Sequence, residues 1–254
     1  MISPNARENS LTPGPDGWSF AAEGAAVHQA ERLAVVADLH LGYEWVRGQV
    51  GDQLPAHSLN ETLARLERLF ARARIDRLVI AGDLVESPRP CARTSADLMA
   101  FRKWLESRGV QWLALPGNHD PRPKRDAPRI LVVNGWTIAH GHEPIDAPRT
   151  ITGHDHPAFR SEGVSSRCVL SGPRSIILPA FSENAAGLNV GNAQLPAQWI
   201  GKELRCLVAT ENELLDFGEI ETLNVRLTKR SPLSIAPAPK RSPTSTRSRS
   251  AKSR

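Results

Sequence analysis

Residues 32–40 read RLAVVADLH, residues 75–83 IDRLVIAGD and residues 110–120 VQWLALPGNHD, and these three runs decide the fold. Each is a short apolar run of the length of a buried strand, and each ends in Asp, Gly or His. Between the first two lies SLNETLARLERLFARA (58–73). There Ser58-x-x-Glu61 reads as a capping box, and Leu59, Leu63, Leu66 and Phe70 fall on one helical face. Residues 95–107, with Leu98, Met99, Phe101, Trp104 and Leu105, read as a second helix. Strand, helix, strand, helix, strand favours a largely parallel sheet.

Beyond residue 120 the pattern changes. ILVVNGWTIAH (130–140) places Asn134-Gly135 between two β-rich runs, the signature of a type I′ hairpin. CVLSGPRSIILP (168–179) and RCLVATENELLDF (205–217) read as further hairpins, so the second half is expected to be β-rich and antiparallel. Two sheets packed face to face with helices outside would bury both halves in one core. The expected fold class is therefore α/β, a four-layer α-β-β-α sandwich of two mixed sheets. Residues 1–17, with three prolines, two glycines and no apolar periodicity, are expected to form a flexible N-terminal arm. Residues 18–222 form the single domain, and 223–254 a disordered tail rich in Ser, Pro and Arg, ending SPTSTRSRSAKSR.

The 254 residues are 40% hydrophobic, enough for a core, yet no run approaches the roughly 18 apolar residues of a membrane helix. The polar start MISPNARENS has no apolar signal-peptide segment. Cys91, Cys168 and Cys206 stand far apart, which excludes a disulfide framework and a cysteine zinc site. A soluble, reduced, cytoplasmic protein is expected. The net charge of +5 belongs to the tail: residues 229–254 hold eight Lys/Arg and no acid, leaving 24 basic against 27 acidic residues before them. A basic body, the simplest argument for a broad nucleic-acid surface, is thus missing.

Six of the eight histidines lie in clusters where the strands end. These are Asp38-Leu39-His40, Gly82-Asp83, Gly117-Asn118-His119-Asp120, His140-Gly141-His142 and Gly153-His154-Asp155-His156. In extended backbone, positions i and i+2 face the same side, so Asp38 with His40, and His154 with His156, can each present two ligands to one place. The adjacent glycines allow sharp turns after a strand. Carboxylate, imidazole and amide oxygen form a mixed N/O set that suits Mn, Fe or Zn better than Mg or Ca.

Taken in order, these blocks resemble the calcineurin-like metallophosphoesterase superfamily, whose signature is D-x-H, G-D, G-N-H-D/E, a histidine after a strand, and G-H-x-H. VADLHLG, GNHDP, HEP, GHDHP and LPAFSENAAGLNV are further similar to the small phosphoesterases related to the DNA ligase-associated enzyme. The resemblance implies two divalent metal ions, Mn first and Fe or Zn otherwise. Asp38, His40, Asp83 and His156 would hold one, and Asp83, Asn118, His140 and His154 the other, with Asp83 bridging. Superfamily members with an HGH triplet ligate through its first histidine, favouring His140, whereas the subgroup's HEP pattern fits His142. His119 would stabilise the phosphoryl group or protonate the leaving group, with Asp120 orienting its ring. A metal-bridging hydroxide would attack a phosphoester, on a small phosphodiester or a nucleic-acid end. The alternatives are a repair endonuclease or exonuclease working with a ligase, or a catalytically dead binding protein; the complete ligand set argues against the last. The basic tail could supply phosphate contacts to nucleic acid.

Several nearby residues have plainer readings. His28 and His57 lie outside every motif and are assigned to surface or structure. Tyr43, Glu44 and Trp45 read as a helix start packing on the core. Cys91 reads as a free thiol, and Arg89, Arg93, Arg122, Lys124 and Arg125 are loop cations, solvated or facing substrate phosphates.

Overall fold

The computed structural model describes residues 10–161, 163–192 and 194–223. The first sheet takes its six strands in sequence order: β1 (Thr12–Pro13), β2 (Trp18–Ala21), β3 (Ala25–His28), β4 (Leu33–Val36), β5 (Arg77–Ala81) and β6 (Gln111–Leu115). β1 to β4 pair antiparallel, and β4, β5 and β6 run parallel. Helices α1 (Tyr43–Gln49) and α2 (Ser58–Arg72) follow β4, and α3 (Ala92–Ser107) joins β5 to β6. The parallel β-α-β-α-β unit is the one expected.

The second sheet holds β7 (Leu131–Val133), β8 (Trp136–Ile138), β9 (Thr150–Thr152), β10 (Ala158–Ser161), β11 (Val164–Ser171), β12 (Ser175–Ile177), β13 (Arg205–Ala209) and β14 (Leu214–Glu219). Its path is β14-β13-β11-β12-β9-β8-β7, with β10 on β11. The three expected hairpins form, and Asn134 and Gly135 have φ 48° and 78°, as a type I′ turn requires. The sheet is not wholly antiparallel, however: β9 runs parallel to both β8 and β12. The connection from β8 to β9 carries the HGH triplet and is a crossover rather than a tight turn, so the chain re-enters in the same direction.

Side-chain alternation fixes the layers. In β4, Leu33 and Val35 enter the cluster between the sheets, with Trp18, Phe20, Trp136, Ile151 and Val169. Ala34 and Val36 face the opposite way, against Leu66 and Leu69 of α2 and Phe101 and Leu105 of α3. Burial on both faces is why this strand reads as an unbroken apolar run. The outer face of the second sheet is covered more thinly than a four-layer sandwich suggests. Trp199, in the 3-10 turn Ala197–Trp199, packs there on Cys168, Leu170 and Val208, with Ile220 beside it.

Two local expectations are corrected, at Ser58 and in the N-terminal arm. The Ser58 capping box does not form: the N-cap is His57, and the buried Ser58 Oγ has no hydrogen-bond partner. Glu61 reaches back to His57 instead, 3.4 Å from its Nε2. Met99 is 58% exposed, because α3 buries only one stripe. Residues 12–17 are no loose arm. Pro13, which has no N–H to offer, sits on an edge strand where none is needed, and Gly14 N–H donates to Trp18 O at 2.8 Å. Trp136 Nε1 donates to Asp16 Oδ2 at 3.1 Å. Residues 1–9 of the arm and 224–254 of the basic tail lie outside the described residues.

Candidate metal centre

The site is built where β4, β5 and β6 of the first sheet and β8 and β9 of the second come to an end. Asp38 and His40 follow β4, Asp83 follows β5, and Asn118, His119 and Asp120 follow β6. His140 follows β8, and His154 and His156 follow β9. Asp38, His40, Asp83, His154 and His156 all have left-handed backbone, with φ of 57°, 48°, 48°, 65° and 45°. Asp38/His40 and His154/His156 therefore converge through left-handed turns, not through the extended i, i+2 geometry expected of them. Among the described residues only nine non-glycine positions have positive φ, and five are here. Such backbone costs of order 1–3 kcal/mol each and persists only where the surroundings enforce it.

The surroundings do so through hydrogen bonds and glycine-made space. Asp38 N–H donates to Gly82 O at 3.1 Å and His40 N–H to Asp83 O at 2.9 Å, tying the first two motifs together. Asp38 Oδ2 accepts the His154 N–H at 2.9 Å. Asp83 Oδ1 accepts the His119 N–H at 2.8 Å. A Cβ on Gly82 would overlap the His140 ring, one on Gly117 would overlap Asp83 Oδ1, and one on Gly153 would overlap Asp38 Oδ2. Each motif glycine thus makes room for a polar side chain of another motif. Only Gly82 of the three also has a positive φ.

His140 is the hub. Its ring is 1% exposed, and Nδ1 donates to Ala81 O at 3.1 Å. Nε2 then faces Asn118 Oδ1 at 2.9 Å, His154 Nδ1 at 3.2 Å and Asp83 Oδ2 at 3.3 Å. Burial disfavours the imidazolium, but Asp83, Asp38 and the Ala81 carbonyl outweigh it and raise the pKa. Burial likewise pushes the Asp83 carboxyl up, yet the His140 ring and the His119 N–H hold it down at about 2. His154 is pushed down by burial and by His140.

A second set of atoms meets at Asp38. His156 Nε2 lies 3.4 Å from Asp38 Oδ2, and the His40 and His156 rings stand edge to face at 5.4 Å. Asp38 Oδ1, both ring nitrogens of His40, and His156 Nε2 are buried without a well-aligned hydrogen-bond partner. His40 Nδ1 comes within 2.8 Å of Glu86 Oε2, but out of line for a hydrogen bond. Orphaned nitrogens and carboxylate oxygens converging in one buried place fit a cation that completes them. Asp38, His40 and His156 form one group able to hold a metal ion, Asp38, Asp83 and His140 another, and His40, Glu86 and His119 a third. The donor set and the space both fit divalent cations.

His142 lies outside this convergence. Its ring centre is 5.1 Å from that of His140, and its Nε2 faces Glu143 at 3.8 Å. Asp120 does not orient His119. Its carboxylate accepts the N–H groups of Gly117 at 2.9 Å and Val85 at 3.1 Å, joining the loops after β5 and β6. Burial raises its pKa. The residue that does hold the His119 ring is Glu86, whose carbonyl accepts from Nδ1 at 2.9 Å. Glu86 escaped the sequence reading, since one acid three residues after Gly82-Asp83 carries no pattern of its own.

The LPAFSENAAGLNV segment also finds a physical role. Phe181 N–H donates to Ala37 O at 2.8 Å and Ser182 N–H to Asp38 O at 3.1 Å, while Leu188 N–H donates to His156 O at 3.0 Å. Arg65 of α2, 2% exposed, holds the Phe181 carbonyl and Glu183. Burial, Arg167 and Arg68 lower its pKa to about 9, leaving it charged at neutral pH. Of the plainer readings, Glu44 is buried, Trp45 donates to Asp97 Oδ2 at 2.6 Å, and His28 is buried edge to face against Trp18 at 5.2 Å. Arg89, Arg93, Arg122, Lys124 and Arg125 are exposed.

A parallel strand unit with D-x-H, G-D and G-N-H-D at its strand ends, closed by a histidine pair from a second sheet, defines a metal-dependent phosphoesterase. Residues 31–164 match the calcineurin-like phosphoesterase family, and the chain belongs to it: it is a hydrolase acting on phosphoester bonds, in a family that uses divalent metals. Over 98 residues the chain is 37% identical to the DNA double-strand break repair protein Mre11 of Methanopyrus kandleri, a match covering 38% of this chain. The chain spans about a fifth of the length of that relative, 20% of which is matched. The crystal structure of Pseudomonas putida nuclease MPE is similar with a TM-score of 0.62 and 24% identity, over 81% of this chain and 100% of that one, and shows the fold. No helix among the described residues is long and apolar enough to cross a membrane.

Proposed function

We propose that the chain is a dinuclear, manganese-dependent phosphodiesterase of the cytoplasm acting on nucleic acid. The observation that carries this is the convergence on Asp83 and His140 of donors from five separate loops, with four buried polar atoms at Asp38, His40 and His156 unpartnered. Asp38, His40, Asp83 and His156 would hold one cation, and Asp83, Asn118, His140 and His154 the other. Asp83 would be shared between the two, since a carboxylate offers two charged oxygens. His140 is favoured over His142 by its central position. When bound, the two cations would supply an activated water and neutralise charge on the phosphoryl oxygens.

The chain's own residues do the rest. Asn118 Oδ1 stands 2.9 Å from His140 Nε2, so two atoms that would share a cation already face one place. His119 stays outside the ligand set. Its Nδ1–H is spent on the Glu86 carbonyl, so Nε2 is the atom that meets a phosphoryl oxygen or hands a proton to the leaving group. Asp120 keeps the two loops in register and touches no reacting atom. The names of the repair protein Mre11 and the nuclease MPE support nucleic acid as the substrate class.

The test is Asp83→Asn, which keeps size and removes the bridging charge. With Mn, hydrolysis of bis-p-nitrophenyl phosphate and of an oligonucleotide should be lost almost completely, and bound metal should fall by elemental analysis with the fold retained. Undiminished activity in Asp83→Asn would sink the dinuclear reading.

A further inference from the structure

We infer that a phosphate-binding groove leads away from the metal centre along β10 and β11, and that it takes the sugar-phosphate backbone of a polynucleotide strand. The inference rests on the phosphodiesterase reading and adds the path by which its substrate would be held.

A hollow of about 560 Å³ begins at His156 and runs between the Pro179–Ala186 segment and the β10–β11 hairpin. In that hairpin Ala158 pairs with Arg167, and Arg160 with Ser165. Directly paired residues and residues two apart share a face, so Arg160, Ser165 and Arg167 point the same way, into the hollow. Two residues of strand separate the Arg167 and Arg160 levels by about 7 Å of rise. That is the scale on which charge repeats along a nucleic-acid backbone, and it puts the Arg160 guanidinium one step beyond Arg167, which is ion-paired with Glu183 at 2.9 Å.

The hollow continues into a second one of about 330 Å³ that shares Arg167 and adds Arg68. Arg160 is exposed and has no ion pair among the described residues. The Arg68 side chain is 57% exposed, and its nearest recorded carboxylate, Glu23, is 4.0 Å away and engaged by Arg72 at 2.7 Å. Glu183 lines the path but is already held between Arg65 and Arg167. Glu211, the other acid of the hollow, lies where the two hollows join. Guanidinium and hydroxyl groups along an open groove recognise phosphates rather than a buried apolar ligand. A small phosphodiester would reach the metals and leave this path empty, so a built path implies a longer polyanion. It also reconciles an acidic body with a nucleic-acid substrate: the positive charge is local and lies beside the chemistry.

The experiment uses the full chain and the variant Arg68→Ala/Arg160→Ala, both positions being exposed. A labelled single-stranded oligonucleotide is titrated by fluorescence anisotropy at several salt concentrations, without turnover. The slope of log K against log salt should flatten by about 0.7 for each arginine that contacts a phosphate. Dissociation constants should rise by about tenfold, the size of one or two lost charge-assisted hydrogen bonds. With Mn, kcat/KM for the oligonucleotide should fall at least about tenfold more than for bis-p-nitrophenyl phosphate. An unchanged slope with an unchanged ratio of the two substrates overturns the groove. If the full chain hydrolyses neither substrate, the phosphodiesterase reading fails, while the titration still decides whether these arginines hold a strand.

Discussion

A Cβ on Gly117 would lie inside the carboxylate of Asp83, so the G-N-H-D motif must begin with glycine for the Asp83 side chain of the preceding motif to keep its place. Gly117 has no left-handed φ, so the requirement is one of space alone. Gly117→Ala should displace Asp83 Oδ1 from the His119 N–H it accepts. A misplacement of about 1 Å in such a site costs about a hundredfold in rate. The check is kcat beside metal content and melting temperature: a large rate loss with little change in melting is expected. Full activity would show that the loop shifts to absorb the methyl group.

His119→Ala separates chemistry from metal binding. The ring is held by a backbone carbonyl, and the proposed mechanism uses it on the phosphoryl group rather than as a ligand. Both metals should remain, and turnover should fall by roughly 10²–10⁴, the size of a general acid–base contribution. The loss should shrink for esters of p-nitrophenol, whose leaving group needs no proton. Loss of a metal ion in this variant would place His119 among the ligands.

Glu86 and Asp120 should fail in different ways when changed. Glu86→Gln leaves the carbonyl that holds His119 but removes the charge beside His40. It should weaken metal binding by about 10–100-fold, the usual effect of losing a partner of a metal-ligating histidine. Asp120→Asn keeps one acceptor for Gly117 or Val85 and lacks the second. It should cost about 1–3 kcal/mol of stability through the amide left unsatisfied, with the metals retained. Metal titrations and thermal melts of both variants distinguish the two; a metal defect in Asp120→Asn alone would reverse the assignment.

Much of this was legible because composition and geometry coincide. Leu33–Val36 reads as a strand since both faces are buried, and Asn134-Gly135 reads as a hairpin since both residues adopt positive φ. β2 and β3 were not legible: apart from Glu23, residues 21–26 around their turn are all Ala or Gly and show no alternation, and the pairing is decided by the sheet they join. The polar blocks at strand ends gave the candidate site residues, which the fold brings together. What local sequence does not encode is conformation set from outside, such as the left-handed turns at Asp38 and His156, held by Ser182 and Leu188 from far along the chain. The Ser58 cap failed for the same reason, because tertiary packing sets the start of α2 one residue early.

Arg65 is the far end of that outside support. It holds the Phe181 carbonyl, Phe181 and Ser182 hold Ala37 and Asp38, and no substrate atom is involved. Arg65→Met should destabilise the fold by about 1–3 kcal/mol through the carbonyl and carboxylate left behind. It should also lower kcat with little change in KM, since the Asp38 turn loosens. Faster hydrogen exchange at the Phe181 and Ser182 amides would report the loosening directly. Arg65→Lys, which keeps the charge but not the two-pronged geometry, should recover only part of both. A variant that melts earlier but keeps its kcat and amide protection would make Arg65 a purely structural residue.

Residues 229–254 carry eight Lys/Arg and none of the site residues, so catalysis and recruitment should be separable. Truncation after Leu227 should leave hydrolysis of bis-p-nitrophenyl phosphate unchanged, because every site residue lies between Asp38 and His156. Binding of an oligonucleotide is different. If the tail adds phosphate contacts, each one steepens the salt dependence by about 0.7 for single strands, and truncation should remove that share alone. The groove arginines would still contribute theirs, so the truncated chain should keep a shallower slope that Arg68→Ala/Arg160→Ala lowers further. Titrations of the full chain, the truncated chain and the variant of each across several salt concentrations give both terms. Identical slopes with and without the tail would remove it from nucleic-acid binding and leave strand recognition to the folded domain.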